Sequence, residues 1–386
     1  IAKNCMTSCN KIWRKDILLE SYSEGKGLVK ARAKGPEEII NTLKISGLRG
    51  RGGAGFPTWK KWDLCRKAQG DTHYVICNAD EGEPGTFKDR MLLSKRAPML
   101  FEGMAIAGLA IGAREGIIYL RAEYQYLLPT LNRQLVKFHK NNPFTIRIQL
   151  GAGAYVCGEE SALLESLEGR RGEPRIRPPF PVECGYKGHP TVINNVETFC
   201  SVTHLMEKGP TSFLSSGTAQ STGTRLFSVS GDVLKPGLYE WPFGMTISQI
   251  LKEVKARDPL ALQVVGPSGT LISAQELDRK ICFEDLATGG AITIFSKDRD
   301  LLLIIQNHME FFVNESCGCC SPCRAGNVML LEFMKKLRAH KAHARSLANA
   351  QGWARIITHT SRCGLGQTSS NPILTGLKYF PEIFQK

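Results

Sequence analysis

Apolar positions in the first half of the chain fall into two alternating patterns. Short apolar runs bounded by turn residues, at Tyr74 to Cys77, Ile117 to Leu120 and Ile146 to Leu150, read as buried strands. Helical spacing lies between them, over Pro98 to Ala113 and Tyr126 to Phe138. An earlier helix is predicted over Pro36 to Ile45, with Glu37 and Glu38 in its first turn and Ile39, Ile40 and Leu43 on one face. This alternation predicts an α/β layer built on a mostly parallel sheet. From Thr222 to about Phe295 the pattern changes to short strands (Leu226 to Val229, Val264 to Val265, Ile292 to Phe295), a Lys-Pro-Gly turn at 235 to 237 and one helix capped by Thr246. That stretch reads as a small α+β insert. Beyond Asp300 helical periodicity dominates, with Ile304, Ile305, His308 and Phe312 on one face and Leu330, Met334 and Leu337 further on, which predicts a helical bundle. The expected division is 1–35 as an extension or linker, then 36–221, 222–299 and 300–386.

Composition narrows the class. At 386 residues with 42% hydrophobic and 22% charged content, the chain has room for two or three globular domains. The most apolar stretch, Met99 to Ala113, is too short to span a bilayer and contains Glu102. A formal charge of +14 invites nucleic acid, an anionic membrane or an acidic protein partner, yet the charges are spread rather than gathered in runs. Thirteen cysteines, an odd number, argue against a secreted disulfide scaffold and for reduced thiols or metal ligands. The chain begins with Ile and not with an apolar signal core, so that end is weak evidence on localisation.

Cys317, Cys320 and Cys323 have C-x2-C-x2-C spacing, which gathers three thiolates, and Cys363 is the natural fourth. Such a set suits a 4Fe-4S cluster. Structural zinc is the rival, although its usual two-pair spacing fits a triplet less well. Cys319 reads as a spare thiol, and Cys65, Cys77, Cys157, Cys184, Cys200 and Cys282 as buried small hydrophobes. Cys5 and Cys9 have the spacing of half a 2Fe-2S site with no visible second half.

Gly50 to Gly55 matches G-x-G-x-x-G but follows a helix and runs into Phe56-Pro57, so the dinucleotide fingerprint fails on context. What survives is an anion nest of glycine N–H groups beside Arg51, Lys60 and Lys61. Gly151-Ala-Gly153 follows a strand but has Val156 where a third glycine belongs. Asn78, Asp80, Glu81 and Glu83 follow the Tyr74 strand directly, where an α/β sheet holds its ligands. A solvated acidic turn is the alternative. Glu159 and Glu160 begin a helix running to Gly169, and Asn194-Asn195 form a third polar turn. Such amides and acids suit ribityl, ribose and flavin groups.

Several motifs occur in order: Ser-Gly-Leu-Arg-Gly-Arg-Gly-Gly-Ala-Gly-Phe-Pro (46 to 57), Cys-Asn-Ala-Asp-Glu-Gly-Glu-Pro-Gly-Thr (77 to 86), Gly-Ala-Gly-Ala-Tyr-Val-Cys-Gly-Glu-Glu (151 to 160), Pro-Pro-Phe-Pro (178 to 181), Asn-Asn-Val-Glu-Thr (194 to 198) and the cysteine cluster. Over residues 36 to 386 the chain resembles the NADH-oxidising flavoprotein subunits of respiratory complex I and of NAD-linked hydrogenases and formate dehydrogenases. Gly266-Pro-Ser-Gly269, Ser361 to Ser369 and Phe380-Pro-Glu-Ile383 look most like the diaphorase subunits of soluble NAD-reducing nickel-iron hydrogenases.

The resemblance implies a Rossmann-like FMN- and NADH-binding domain at 36–221, a β-grasp-like insert at 222–299 and a helical 4Fe-4S domain at 300–386. By position, FMN would lie against Gly50, Arg51, Gly52, Lys61, Asn78, Asp80, Glu81, Gly158, Glu159, Asn194 and Asn195. NAD(H) would meet Phe56, Phe180 and Arg177, with Glu83 and Glu160 orienting it. Arg177 stands where relatives usually carry Lys, and Trp59 replaces a glycine; the segment between Phe138 and Ile146 is shorter than usual. The implied activity is hydride exchange between NAD(H) and FMN, with single electrons passed through the cluster to other iron-sulfur subunits of a cytoplasmic complex, or of a peripheral arm in complex I. A basic zinc module for nucleic acid would explain the charge and cysteines but leaves the carboxylate loops without a role.

Overall fold

The protein is described here from a computed structural model covering residues 11–342 and 344–385. Its first sheet contains β2 (Tyr74–Ala79), β3 (Glu115–Leu120), β4 (Thr145–Leu150) and β5 (Thr191–Asn195), in the order β4-β3-β2-β5 with every pairing parallel. The three strands read from the sequence are present, lengthened by one to two residues at their ends. Asn194 and Asn195 end a fourth strand instead of forming a free turn.

Both faces of this sheet are covered over β2, β3 and β5, which is why these strands are mostly buried, whereas the edge strand β4 alternates Thr145, Arg147 and Gln149 with apolar residues and is partly exposed. Val75, Cys77, Ile118, Leu120 and Val192 pack with helices α1 (Lys26–Lys34), α2 (Pro36–Ser46), α3 (Thr58–Lys67), α4 (Lys88–Lys95), α5 (Ala97–Ile111), α6 (Leu128–Lys140) and, after α7 (Glu160–Leu167), α8 (Val196–Lys208). Ile76, Ile117, Tyr119 and Ile193, facing the other way, pack with α7 and with Phe312, Cys323, Cys363 and Leu365. The cysteine-bearing region therefore leans directly on the first sheet.

A second, mixed sheet contains β1 (Ile12–Arg14), β6 (Thr224–Gly231), β7 (Gly237–Pro242), β8 (Pro259–Val264), β9 (Thr270–Ser273) and β10 (Ala291–Ser296), ordered β1-β7-β6-β10-β8-β9. Helix α9 (Ile247–Glu253) has a capping box of Thr246 with Gln249, as expected from Thr246. The C-terminal helices are α10 (Leu301–Glu315), α11 (Ser321–Arg338), α12 (Ala344–Thr360), α13 (Gly364–Thr368) and α14 (Asn371–Tyr379); all but α13, whose Leu365 packs toward the first sheet, share an apolar core that also takes in Ala261 and Leu271 of the second sheet. The molecule is thus an α/β protein with a parallel sheet, a mixed sheet and a helical C-terminal region.

Residues 11–34, set apart above as an extension or linker, are built into this body. Leu18, Leu19, Leu28 and Ala31 are buried in the first core, and β1 pairs in parallel with β7. The buried carboxylate of Glu240 fixes the segment by accepting from the backbone N–H of Asp16 (3.1 Å), Leu18 (2.7 Å) and Leu19 (3.0 Å) and from Thr224 Oγ1 (2.6 Å). Glu102, the one acid in the apolar helix α5, accepts from Gly25 N (2.6 Å), Leu28 N (3.1 Å) and the Tyr22 hydroxyl. Its carboxylate completes the N-terminus of α1. Among the described residues, no helix is long and apolar enough to cross a membrane.

Cys65, Cys77, Cys157, Cys200 and Cys282 are buried as expected, whereas Cys184 is exposed beside the Pro178–Pro181 turn. Cys5 and Cys9 lie outside the described residues.

Helix α5 crosses α8 at its closest approach through Gly103, where a Cβ would come 2.1 Å from the Phe199 carbonyl oxygen. Backbone cannot yield as a side-chain tip can, so Gly103→Ala is expected to lower stability by roughly 1–3 kcal/mol or more. A thermal denaturation midpoint equal to that of the unsubstituted protein would contradict this packing.

Candidate functional site

The chain leaves β2 to build β3 and β4 on one side, then returns to add β5 on the other. Connections on the two sides of β2 diverge, opening a crevice at the carboxyl ends of β2 and β5. In register, Cys77 pairs with Asn194 and Asn78 with Asn195, so the three asparagines stand together at that edge. The turns after β2 (80–87) and β4 (151–159) and the start of α8 lie at the same end.

Each of these side chains is held. Asn78 Nδ2 donates to the Gly158 carbonyl (2.8 Å), while its Oδ1 accepts from Asp80 N (3.1 Å). Asn194 Oδ1 accepts from the buried Trp62 indole (2.8 Å). Asn195 caps α8 through Glu197 N (3.0 Å), donates to Asp89 Oδ2 (2.6 Å) and accepts from Lys88 Nζ (3.1 Å). Glu159 caps α7, accepting from Ser161 N and Ala162 N at 3.0 Å each, and meets Arg177 at 3.5 Å. The Arg177 guanidinium also lies 5.9 Å from the Phe180 ring centre.

The glycine loop packs against the start of α8. Arg51 N donates to Thr198 Oγ1 (2.9 Å), Gly50 N to Phe56 O (2.9 Å), and a Cβ on Gly52 would sit 3.3 Å from Asn195 Cβ. Gly52 is exposed, and around Gly53, at φ 141°, nothing lies within 4 Å of a would-be Cβ. The loop backbone is therefore an open cradle next to Asn195. The Arg51 side chain points the other way, fully buried against Phe243, and burial lowers its guanidinium to about 9.

The expected carboxylates divide into engaged and open groups. Glu81 is buried, caps α4 through Asp89 N (2.8 Å) and Arg90 N (3.0 Å), and accepts from Tyr124 Oη (2.9 Å), so it braces the turn and does not face the crevice. Glu83 accepts from the Tyr155 hydroxyl and from Ser268 N (2.9 Å), and burial raises its carboxyl above the usual range. Glu160 pairs with Lys61, whose ammonium also donates to the Ile193 carbonyl (3.0 Å). Asp80 is the open one: its Oδ2 is buried without a hydrogen-bond partner. Burial pushes its carboxyl up to about 7, with Arg121 opposing the rise. Phe56 and Phe180 are 43% and 50% exposed, large aromatic faces left to solvent.

Cys317, Cys320, Cys323 and Cys363 line one cavity, with Val156, Pro174, Ser316, Cys319, Arg362 and Leu365 completing its wall. Cys319 thus reaches the same cavity, with its Sγ 3.0 Å from Arg362 Nη1. Four thiols around a common space supply the donor set of a four-thiolate iron-sulfur cluster. The turn after β4 touches both places: Tyr155 holds Glu83, Val156 lines the cysteine cavity, and Gly158 holds Asn78. Tyr155 N in turn donates to Glu315 Oε2 (2.9 Å) at the end of α10.

Lys88, Asp89, Glu197, Tyr155 and Ser268 carry this arrangement without having been singled out for it from the sequence. Buried Lys88 pairs with Asp89 (2.7 Å) and Glu197 (3.0 Å) beneath Asn195. The only local signal was their place inside polar turn motifs.

A buried acid whose pKa lies above its unfolded value holds its proton more tightly in the folded state. Ionising Asp80 therefore costs stability as pH rises from about 4 to about 7, and nothing further above that. Asp80→Asn is expected to gain stability relative to the parent apoprotein across that window. Parallel pH profiles of the two melting temperatures would show that Asp80 is not held in this state.

Residues 43–204 match the family described as the Nuo51 FMN-binding domain, and residues 303–386 the NADH-ubiquinone oxidoreductase-F iron-sulfur binding region. The chain is 54% identical over 363 residues to the NAD-reducing hydrogenase HoxS subunit alpha of Cupriavidus necator, covering 91% of this chain and 60% of that subunit. It is 37% identical to the NADP-reducing hydrogenase subunit HndC of Solidesulfovibrio fructosivorans, over 96% of this chain and 79% of the relative. With an NADH-quinone oxidoreductase subunit of Rhizobium meliloti it shares 37% identity, over 94% of this chain and 92% of the relative. A crystal structure of NAD+-reducing [NiFe]-hydrogenase in the H2-reduced state superposes with a TM-score of 0.93 at 42% identity, over 97% of this chain and 67% of that one. A parallel sheet with an amide-lined switch point, a glycine cradle and a four-thiol cavity, matched at this identity along nearly the whole chain, make it a member of the NADH-quinone oxidoreductase family whose chains join a Nuo51 FMN-binding domain to an iron-sulfur binding region.

Proposed function

We propose that this chain is a diaphorase module that exchanges a hydride between NAD(H) and FMN and passes electrons singly through a 4Fe-4S cluster to partner subunits of an NAD-reducing hydrogenase. The observation that carries this reading is the 155–158 turn, one short segment that touches the crevice at the sheet edge and the four-thiol cavity alike. When bound, the flavin takes up two electrons together and releases them one at a time, which joins a two-electron donor to a one-electron cluster.

The residues fit that cargo. The open backbone at Gly52 and Gly53 would receive the FMN phosphate, as free glycine amides suit an anion, while Gly50 and Arg51, whose N–H groups are held by Phe56 O and Thr198 Oγ1, would set the shape of the loop. Asp80, with its unpartnered Oδ2, would accept from a ribityl hydroxyl, while Asn78, Gly158, Glu159, Asn194 and Asn195 shape the rest of the pocket. Glu81 would act at one remove, by bracing α4, and Lys61 would contribute its charge through Glu160. Phe56 and Phe180 offer faces for stacking NAD(H), and Arg177, tied to Glu159, borders them. Glu83 and Glu160 would orient the dinucleotide. Cys317, Cys320, Cys323 and Cys363 would hold the cluster.

We take the chain as three units, 36–221 for FMN and NAD(H), 222–299 as a β-grasp-like unit, and 300–386 as a helical cluster-holding bundle. The strand order β7-β6-β10-β8-β9 with α9 after the first hairpin supports the middle assignment. The chain spans about 60% of the length of HoxS subunit alpha, so the parent assembly is part of the proposal. A cytoplasmic complex with other iron-sulfur subunits fits the hydrogenase likeness. The 92% coverage of a quinone oxidoreductase subunit supports the complex I reading as the alternative. Nickel in the purified complex, with its co-purifying subunits, distinguishes them.

The purified chain is expected to show flavin and iron-sulfur absorption with about four irons per chain. Zinc in place of iron and no flavin band would overturn the assignment. Glu160→Gln removes a negative charge that would lie near the adenosine ribose and frees the Lys61 ammonium, so NADPH turnover should rise relative to NADH by on the order of tenfold, about 1.4 kcal/mol. An unchanged preference in steady-state rates would remove Glu160 from cofactor selection.

A further inference from the structure

Backbone N–H groups of Leu365 and Gly366 reach Cys363, whereas Cys323 has a buried side-chain amide at its sulfur. Asn327, one helical turn further along α11, brings Nδ2 to 3.3 Å from Cys323 Sγ, and the Ser316 hydroxyl approaches to 3.4 Å. Asn327 is 1% exposed and Ser369 fully buried, and Ser369 Oγ donates to Asn327 Oδ1 at 2.7 Å. Ser316 Oγ accepts from Gly318 N (3.3 Å), which leaves its own proton for the sulfur.

The orientation of the Asn327 amide follows from chemistry as well as geometry. A ligating sulfur is a thiolate without a proton, so only the NH2 end can face it favourably; the oxygen would be repelled. Ser369, just after α13, then holds the oxygen end. Gly366 in α13 lets that helix pack closely here, because a Cβ there would come 2.5 Å from Ser361 Cβ and 3.1 Å from Cys323 Cβ. The pair Asn327–Ser369 thus ties the helix that carries Cys323 to the end of the helix that follows Cys363.

We propose that Asn327, fixed by Ser369, is a positioning residue that sets the reduction potential of the cluster through Cys323. An N–H donor on a ligand sulfur stabilises the more negative, one-electron-reduced form more than the oxidised form and so raises the potential. Burial keeps water from substituting for the lost donor. The inference rests on the cluster assignment made above.

The test is an EPR-monitored redox titration of the full-length, cluster-loaded protein against Asn327→Leu and Ser369→Ala. Asn327→Leu keeps the volume and removes the donor. Its midpoint is expected to fall by the equivalent of roughly tenfold in the reduced-to-oxidised ratio, about 59 mV for one electron. Ser369→Ala should move it in the same direction by less, since the amide remains but is no longer held. A midpoint unchanged or raised in Asn327→Leu, at parent iron and sulfide content, overturns the proposal. Should Asn327→Leu fail to retain its cluster, an unmoved midpoint in Ser369→Ala overturns it equally. Absence of iron and sulfide from the unsubstituted protein would instead refute the underlying cluster reading.

Discussion

The parallel pairing of β2 with β5 is the constraint on which the rest of the molecule depends. Because β3 and β4 extend from one side of β2 and β5 closes on the other, the connections part at a single edge, and that edge collects the chemistry. The register Asn78 to Asn195 puts two amides side by side there, and a slip of one residue would turn them into opposite faces of a buried sheet. The glycine loop, the carboxylate turn and the 155–158 turn are each placed relative to that pair.

The second consequence is proximity. A parallel sheet must bury both faces, and here one face is covered by the helices of the N-terminal half while the other is shared between α7 and the cysteine-bearing helices. The cavity of thiols is therefore seated on the reverse face of the strands whose ends form the crevice. Packing, rather than a flexible connection, sets the distance between the two sites.

Burying so many polar groups has to be offset locally. Lys88 lies between Asp89 and Glu197, Glu240 gathers three backbone N–H groups, and Glu102 completes a helix start. Arg51 and Arg225 are both wholly buried, with Glu197 favouring the charged form of each and Asp89 adding to it for Arg225. A charge taken from water without such partners would neutralise or unfold its surroundings. Asp80 is an exception at the crevice, with its Oδ2 buried and without a hydrogen-bond partner.

Local rules determined much of this protein in advance. Apolar runs located β2, β3 and β4, Pro36 and the Glu37-Glu38 pair located α2, Thr246 fixed the start of α9, and cysteine spacing marked the cavity. The spacing of residues close in sequence fixes such features, because each depends on neighbours within a turn or two. What the tertiary structure decided depends on contacts between distant segments. Asn194 and Asn195 became a strand end only through pairing with β2, and residues 11–34 became core because Glu240 and Glu102, far along the chain, capture their amides. Glu81 turned from crevice ligand to helix brace for the same reason, and Cys184, apolar by its sequence surroundings, stayed at the surface. Whether a carboxylate faces a ligand or an amide is settled by which backbone groups the fold brings to it, and a linear pattern does not contain that choice.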